Sequence, residues 1–295
     1  MKTKNKPFRR IQQAIVYVLF LLSTHCFAAE SSVVLLTIDK VKALYDQQKI
    51  TLVDVRPIMQ FKKGHIKGAG SLPTDATFAK DDRSDLVATI TEIQELMGKA
   101  GVSLDSHVVI YGDKNFLNIS RIFWVLETFG VKKVSIMNSF LTEWKALGYP
   151  TETGESMVLS TEVFAHIKEE KLATMLMVFT SMKNNDEALI DARSEQEYSG
   201  VHSQTTVHGH IPTAVNIPWM SNLTKDFKRF KPISELRVLY KGLDMKKMNT
   251  VYCNKGKESA VNYVALRLLG ANVRAYDGSW FEWSMKPGLP VSTGQ

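Results

Sequence analysis

Cysteine is nearly absent from this chain: it occurs twice in 295 residues, as Cys26 and Cys253. Cys26 lies in an N-terminal stretch expected to be removed, which leaves one thiol. A lone thiol excludes an intramolecular disulfide framework, and it excludes a dithiol redox role because there is no resolving cysteine. Long apolar runs are missing as well. The longest near the N-terminus, residues 14–22, is far short of the roughly 20 residues a membrane span requires. Extended Lys/Arg runs are also missing beyond the N-terminus. The net charge is +7, but Lys2, Lys4, Lys6, Arg9 and Arg10 account for five of those charges. The basic isoelectric point therefore mostly reports the first 28 residues and is poor evidence for a nucleic-acid partner, and none is expected.

Those 28 residues read as a secretory signal: a basic segment without acids, a short apolar core, and small residues at Cys26 and Ala28 ahead of Ala29. His25 argues against a lipoprotein box. Cleavage is expected after Ala28, giving an exported, periplasmic protein with no stable membrane association; the competing reading is an uncleaved membrane anchor. What remains is long enough for two domains and a sizeable core.

Cys253 is distinctive for its surroundings. An apolar, β-branched run (Thr250-Val251-Tyr252) ends at it, the loop Asn254-Lys255-Gly256-Lys257-Glu258 follows, and a helical pattern opens at Ser259. A thiol at the carboxyl end of a strand, facing a helix N-terminus across a loop of N–H groups, is placed to be reactive and to hold an anion. The competing reading is a buried small hydrophobe.

The chain also repeats itself. Val53-Asp54-Val55-Arg56 matches Ile190-Asp191-Ala192-Arg193, and Gly64-His65-Ile66 matches Gly209-His210-Ile211. Ser71-Leu72-Pro73 matches Asn216-Ile217-Pro218, Val109-Ile110-Tyr111 matches Thr250-Val251-Tyr252, and Glu143-Trp144 matches Glu282-Trp283. The second copy carries extra residues around Val201 to Val207. Strands are expected over 50–54, 107–111, 133–137, 188–191, 250–252 and 273–276. Helices are expected over 38–47, 92–100, 118–128, 141–146, 161–169, 233–240 and 259–268. This alternation predicts two tandem α/β domains, each a mostly parallel sheet with helices on both faces. The expected organisation is a signal over 1–28, a first domain over 31–149, a linker over 150–160 and a second domain over 161–295. Chemistry in such sheets gathers at the carboxyl ends of strands, where Cys253 lies.

Leu189-Ile190-Asp191-Ala192-Arg193, Gly209-His210-Ile211-Pro212, Asn216-Ile217-Pro218-Trp219, the Cys253 loop and Tyr276-Asp277-Gly278-Ser279-Trp280 together resemble the rhodanese family in its tandem-domain form. The resemblance covers nearly the whole chain after the signal. It implies a sulfurtransferase: Cys253 takes a sulfane sulfur from a donor, becomes a persulfide, and passes the sulfur to a nucleophile. It also implies that only the second domain is catalytic. In keeping with this, Gly112-Asp113 follow the first-copy strand and that domain has no thiol. Its expected role is to form one wall of the cleft.

Family loops commonly read Cys-Arg-x-Gly-x-Thr in thiosulfate users and Cys-Gly-Ser-Gly-Val-Thr in mercaptopyruvate users. Here Asn254 stands at the arginine position, Glu258 at the hydroxyl position, and Ser259 one place further on. Lys255 supplies a cation, which favours thiosulfate as donor over 3-mercaptopyruvate. The loop has six residues and no closing Arg, against seven residues in the related phosphatases.

The residues expected to bind donor are Asn254, Lys255, Gly256, Lys257, Glu258 and Ser259. Their N–H groups and the two lysine charges are expected to lower the Cys253 pKa, with Glu258 opposing. By resemblance Arg193 binds the donor's anionic end; the alternative is a structural ion pair with Asp191 or Glu197. Asp54 and Asp191 are expected to cap loop N–H groups. His202, His208 and His210 invite a metal reading, but Gly-His-Ile recurs at His65 in the copy without a thiol, so no metal and no cofactor are expected. Trp219 is expected to border the pocket. The partners implied are a small anionic sulfur donor and a cyanide or thiol acceptor, the latter including a protein thiol; a persulfide carrier is the competing function.

Overall fold

The computed structural model describes residues 33–80, 86–183 and 187–294. The expected signal and its cleavage point lie outside the described residues. Elements of the first half are β1 (Leu35–Leu36), α1 (Ile38–Asp46), β2 (Thr51–Asp54), α2 (Ile58–Lys63), β3 (His65–Ile66), β4 (Gly70–Ser71), α3 (Ile90–Lys99), β5 (His107–Tyr111), α4 (Phe116–Thr128), β6 (Lys133–Met137), α5 (Leu141–Ala146) and β7 (Thr151–Glu152). The second half contributes β8 (Leu172–Ala173), α6 (Met175–Ser181), β9 (Glu187–Asp191), α7 (Glu195–Ser199), β10 (Val215–Asn216), α8 (Ile233–Leu239), β11 (Met248–Tyr252), α9 (Ser259–Leu268), β12 (Asn272–Tyr276) and α10 (Ser279–Ser284).

The internal repeat becomes a repeated topology. One sheet has the order β1-β6-β5-β2-β4, and the other, read from its matching edge, β8-β12-β11-β9-β10. Every pairing inside both sheets is parallel. The central strands are apolar runs because both faces are covered. Small polar devices repeat too. Tyr111 Oη accepts from Ile66 N–H at 2.9 Å, and Tyr252 Oη from Ile211 N–H at 3.1 Å. Asp54 Oδ1 accepts from Arg56 N–H and Asp191 Oδ1 from Arg193 N–H, the capping expected of both aspartates.

The two sheets share one apolar core. Helix α4 is buried on nearly every side, which its all-round apolar sequence (Ile119, Ile122, Phe123, Trp124, Val125, Leu126) requires. It packs on its own sheet and against α9 of the second domain, so that Phe123 meets Tyr263 at 6.3 Å between rings. At the end of this seam Glu127 accepts from Tyr263 Oη at 2.7 Å and from Arg267 Nε and Nη2 at 2.9 Å. Among the described residues no helix is long and apolar enough to cross a membrane.

Two expectations fail locally. Residues 161–168 form no helix. Their backbone groups are taken by the first domain: Thr161 N–H donates to Gly98 O and Lys168 N–H to Thr128 O, Ala165 N–H donates to Gln94 Oε1, and Val163 enters the shared core. Tertiary partners thus outcompete a weak helical propensity. The helix lies later, in α6, where the Thr174 hydroxyl accepts from Met177 N–H and Val178 is buried. Within the expected linker, β7 pairs antiparallel with β3.

Candidate active site

Cys253 directly follows β11, at the carboxyl end of the second sheet's central strand. Its side chain is wholly buried beneath a turn of its own loop, and Gly256 N–H donates to Sγ at 3.1 Å. Gly256 has φ +77°, the left-handed region that lets this N–H point inward. The turn between β12 and α10 clasps the loop from the other side. Cys253 N–H donates to Ser279 Oγ at 3.2 Å, while Trp280 and Phe281 N–H donate to the Cys253 and Asn254 carbonyls. Ser279 itself holds φ +54°, a conformation that costs a non-glycine residue about 1 kcal/mol.

A cleft of about 530 Å³ opens over the loop. Cys253, Asn254, Lys255, Lys257 and Glu258 form its floor. Asp75, Phe78 and Leu117 of the first domain form the facing wall, and Gln204 from the second-copy insertion closes one side. Lys255 Nζ lies over the Phe281 ring, 4.7 Å from its centroid.

The first domain also reaches the loop directly. Arg121, on α4 and fully buried, donates through Nη1 to the Gly256 carbonyl at 3.1 Å and to Asp277 Oδ1 at 2.5 Å. Its guanidinium lies over the Phe78 and Trp124 rings. Asp277 Oδ2 in turn accepts from Val87 N–H at 2.6 Å.

Electrostatically the floor is divided. Asn254 Nδ2 bridges Glu197 Oε1 at 2.9 Å and Glu258 Oε2 at 3.3 Å. Burial opposes the Glu197 charge, but hydrogen bonds from Ser194, Asn254 and Gln204 hold its carboxyl below the usual range. Burial first, and the Glu197 charge second, push Glu258 up to about 6.

The expected lowering of the thiol pKa is not found in this geometry. Burial pushes the Cys253 thiol up and the Glu258 charge adds to it; the Ser259 N–H and hydroxyl and the Lys255 N–H pull the other way without prevailing. Glu258, at the position where family loops carry a hydroxyl, is one physical reason.

Arg193 does not line the cleft. It is fully buried, with Nε and Nη2 on Asp191 (2.5–3.1 Å), Nη2 also on the Gly209 carbonyl, and the guanidinium over Trp280. Burial works against its charge and Asp191 outweighs it. Arg56 repeats the arrangement with Asp54 and the Gly64 carbonyl, so the Nε and Nη2 of both Asp-x-Arg guanidinium groups are tied up within the fold. The Gly-His-Ile histidines are structural in the same way: His65 stacks on Phe61 and His210 on Tyr198, both at 3.7 Å. His208 Nδ1 lies 3.0 Å from the Gly200 carbonyl. Trp219 packs against the shared core and is not part of the cleft lining.

Arg121, Asp277, Ser279, Phe78, Leu117 and Gln204 were not singled out from the sequence. Asp277 and Ser279 stand in the Tyr276-to-Trp280 motif, and Gln204 in the second-copy insertion. Arg121 and Leu117 carried no local signal, because their role exists only when the two domains meet.

Residues 37–147 and 178–286 each match the family of the rhodanese-like domain. Over 279 residues the chain is 32% identical to the sulfur carrier protein TtuD of Thermus thermophilus, covering 89% of this chain and 97% of that protein. It is 31% identical to a putative thiosulfate sulfurtransferase of Mycobacterium leprae, covering 88% and 98%. The crystal structure of SseA from Escherichia coli, a 3-mercaptopyruvate sulfotransferase, superposes with a TM-score of 0.73 at 26% identity, covering 84% of this chain and 99% of that one.

Proposed function

The chain belongs to the rhodanese-like family as two domains in tandem, and from that premise we propose that Cys253 carries a sulfane sulfur from thiosulfate to a thiophilic acceptor. The observation that carries this reading is the Gly256 N–H, 3.1 Å from Cys253 Sγ, on a cleft floor that also holds Lys255 and Lys257. The thiolate attacks the outer sulfur of thiosulfate. The S–S bond breaks and sulfite leaves with its electron pair, so Cys253 becomes a persulfide anion. The loop N–H groups are placed to stabilise that anion. An acceptor nucleophile then attacks the terminal sulfur and Cys253 leaves as the thiolate. With cyanide the product is thiocyanate, and no external electrons are needed in the cycle. The two lysines support a dianionic donor over 3-mercaptopyruvate, the competing donor.

A second reading is a persulfide carrier whose acceptor is a protein thiol. The similarity to a sulfur carrier protein favours it, as does a cleft wall of Phe78 and Leu117 wide enough for more than cyanide. Residues 1–28 support export to the periplasm with cleavage after Ala28.

The test compares thiocyanate formation from thiosulfate and cyanide by the protein and by Cys253→Ser, alongside intact mass. The expected result is activity that disappears in the variant, with a persulfide mass on Cys253. Equal yields would remove the proposed chemistry. A stable persulfide with negligible turnover would favour the carrier. The same spectrum locates the mature N-terminus, and a chain still starting before Ala29 would contradict the cleavage proposed.

A further inference from the structure

The first copy ends its strand β5 at Tyr111 and carries Gly112 where the second copy carries Cys253. Beside that strand end lies a separate cavity of about 240 Å³. Four cations line it, Arg56, Lys63, Lys114 and Lys145, together with Gln60 and a single carboxylate, Asp113.

Counting from the matched motifs, Gln60 stands where the second copy has Glu197, Asp113 where it has Asn254, and Lys114 where it has Lys255. The thiol-bearing cleft is lined or flanked by Glu197, Glu258 and Asp75. In the first copy the Glu197 equivalent is neutral and the loop is too short to hold a counterpart of Glu258. The first-copy cavity is therefore cationic where its relative is mixed.

The guanidinium at its back is built in. Arg56 is 7% exposed. Its Nε and Nη2 are held by Asp54 and the Gly64 carbonyl, and Nη1 has no acceptor among the described residues. Lys145 stands over Gly64, its Nζ 3.0 Å from where a Cβ at that residue would lie. None of Lys63, Lys114 and Lys145 forms an ion pair with a carboxylate among the described residues. Asp54 balances the guanidinium and Asp113 offsets one ammonium, which leaves two lysine charges at the rim that an anion would relieve.

We propose that this first-domain cavity is a binding site for a small tetrahedral oxyanion of the sulfate, phosphate or thiosulfate class, distinct from the cleft at Cys253. Arg56 Nη1 presents a fixed donor from a rigid support, and the three lysines supply charge and mobile donors from the rim. The proposal stands whether or not the transfer chemistry at Cys253 is as described above.

The test is a titration of the ¹⁵N-labelled Cys253→Ser protein with sulfate, phosphate, thiosulfate and, at matched ionic strength, chloride, following the Gly64 and Lys114 amide signals. Saturable shifts are expected with at least one of the three oxyanions; which of them binds best identifies the source of the ligand. In a variant that also carries Lys63→Gln and Lys145→Gln, both at exposed positions, the midpoint should weaken by roughly tenfold. Shifts no larger than those with chloride would overturn the proposal. So would saturable shifts at Gly64 that persist unchanged in the variant.

Discussion

Arg121 in the first domain and Gly256 in the second are joined by a 3.1 Å hydrogen bond from guanidinium to carbonyl, and the same glycine's N–H points at Cys253 Sγ. One peptide segment is thus gripped on one side by the neighbouring domain and presents its donor to the sulfur on the other. The domain without a thiol takes part in shaping the surroundings of Cys253, beyond walling the cleft.

Arg121→Met should therefore impair transfer although Arg121 touches no reacting atom. Misplacing the loop by about 1 Å costs on the order of 100-fold in kcat/KM. Arg121→Lys should restore only part, since an ammonium can donate to Gly256 and Asp277 but cannot reproduce the planar guanidinium's stacking over Phe78 and Trp124. The discriminating readout is the rate of Cys253 alkylation against pH. A variant that loses thermal stability but keeps the wild-type alkylation profile would reduce Arg121 to a packing residue.

Gly256→Ala should be more damaging than its size suggests. The added Cβ would meet Asp277 Oδ1 at 2.7 Å, Arg121 Nη1 at 2.8 Å and the Asp277 carbonyl at 3.0 Å, at φ +77°. The left-handed conformation alone costs about 1 kcal/mol for alanine, and the contacts force either the Arg121 brace or the loop to move. Turnover should fall by at least about tenfold, with unfolding at lower urea. Wild-type kinetics in this variant would show that the loop geometry is not required.

Glu258→Gln should act on both stability and the thiol. The folded-state carboxyl is pushed up to about 6 from an ordinary 4.5. Between these values the folded protein binds a proton that the unfolded chain has released, so stability falls as pH rises through the window. Removing the charge should stabilise the protein at pH 7 by on the order of 1–2 kcal/mol, and the gain should vanish below about pH 4.5. The Cys253 alkylation midpoint should also move down, because the Glu258 charge is one cause of its elevation. Urea unfolding at pH 7 and pH 4 together with alkylation across pH checks both. An unchanged alkylation midpoint would mean that Glu258 does not govern the thiol.

Glu127→Ala should loosen the seam between the domains. It strips the partner from Tyr263 Oη and Arg267 at the far end of the α4–α9 contact. The cost should be about 2–3 kcal/mol in equilibrium unfolding, because charged hydrogen bonds are lost and a half-buried cation is left unpaired. Tyr263→Phe removes only the hydroxyl and should cost about 1 kcal/mol. Equal effects of the two substitutions would argue against the Arg267 pair as the main contributor.

Much of the fold was legible in the chain. Parallel strands covered on both faces must be apolar runs, so β5, β6 and β11 stood out, and the ordered repeats of Asp-x-Arg and Gly-His-Ile gave the tandem arrangement. The short elements α2, α7 and α10 span only five or six residues, so a 3.6-residue period shows weakly in them; α5, equally short, is the exception. The segment 161–168 carried a helical pattern that contacts with the first domain overrode.

At the candidate site, sequence alone pointed to the thiol, the strand and helix that frame it, and the glycine that lets the loop turn inward. Each follows from local rules on where apolar runs end and which residues tolerate positive φ. Tertiary structure alone decided that Arg193 belongs to an internal ion pair, that Arg121 crosses from the other domain to hold Gly256, and that burial and Glu258 outweigh the amides around the sulfur. Those outcomes depend on which groups become neighbours and how much water is excluded between them, and neither quantity is written in the spacing of residues along a chain.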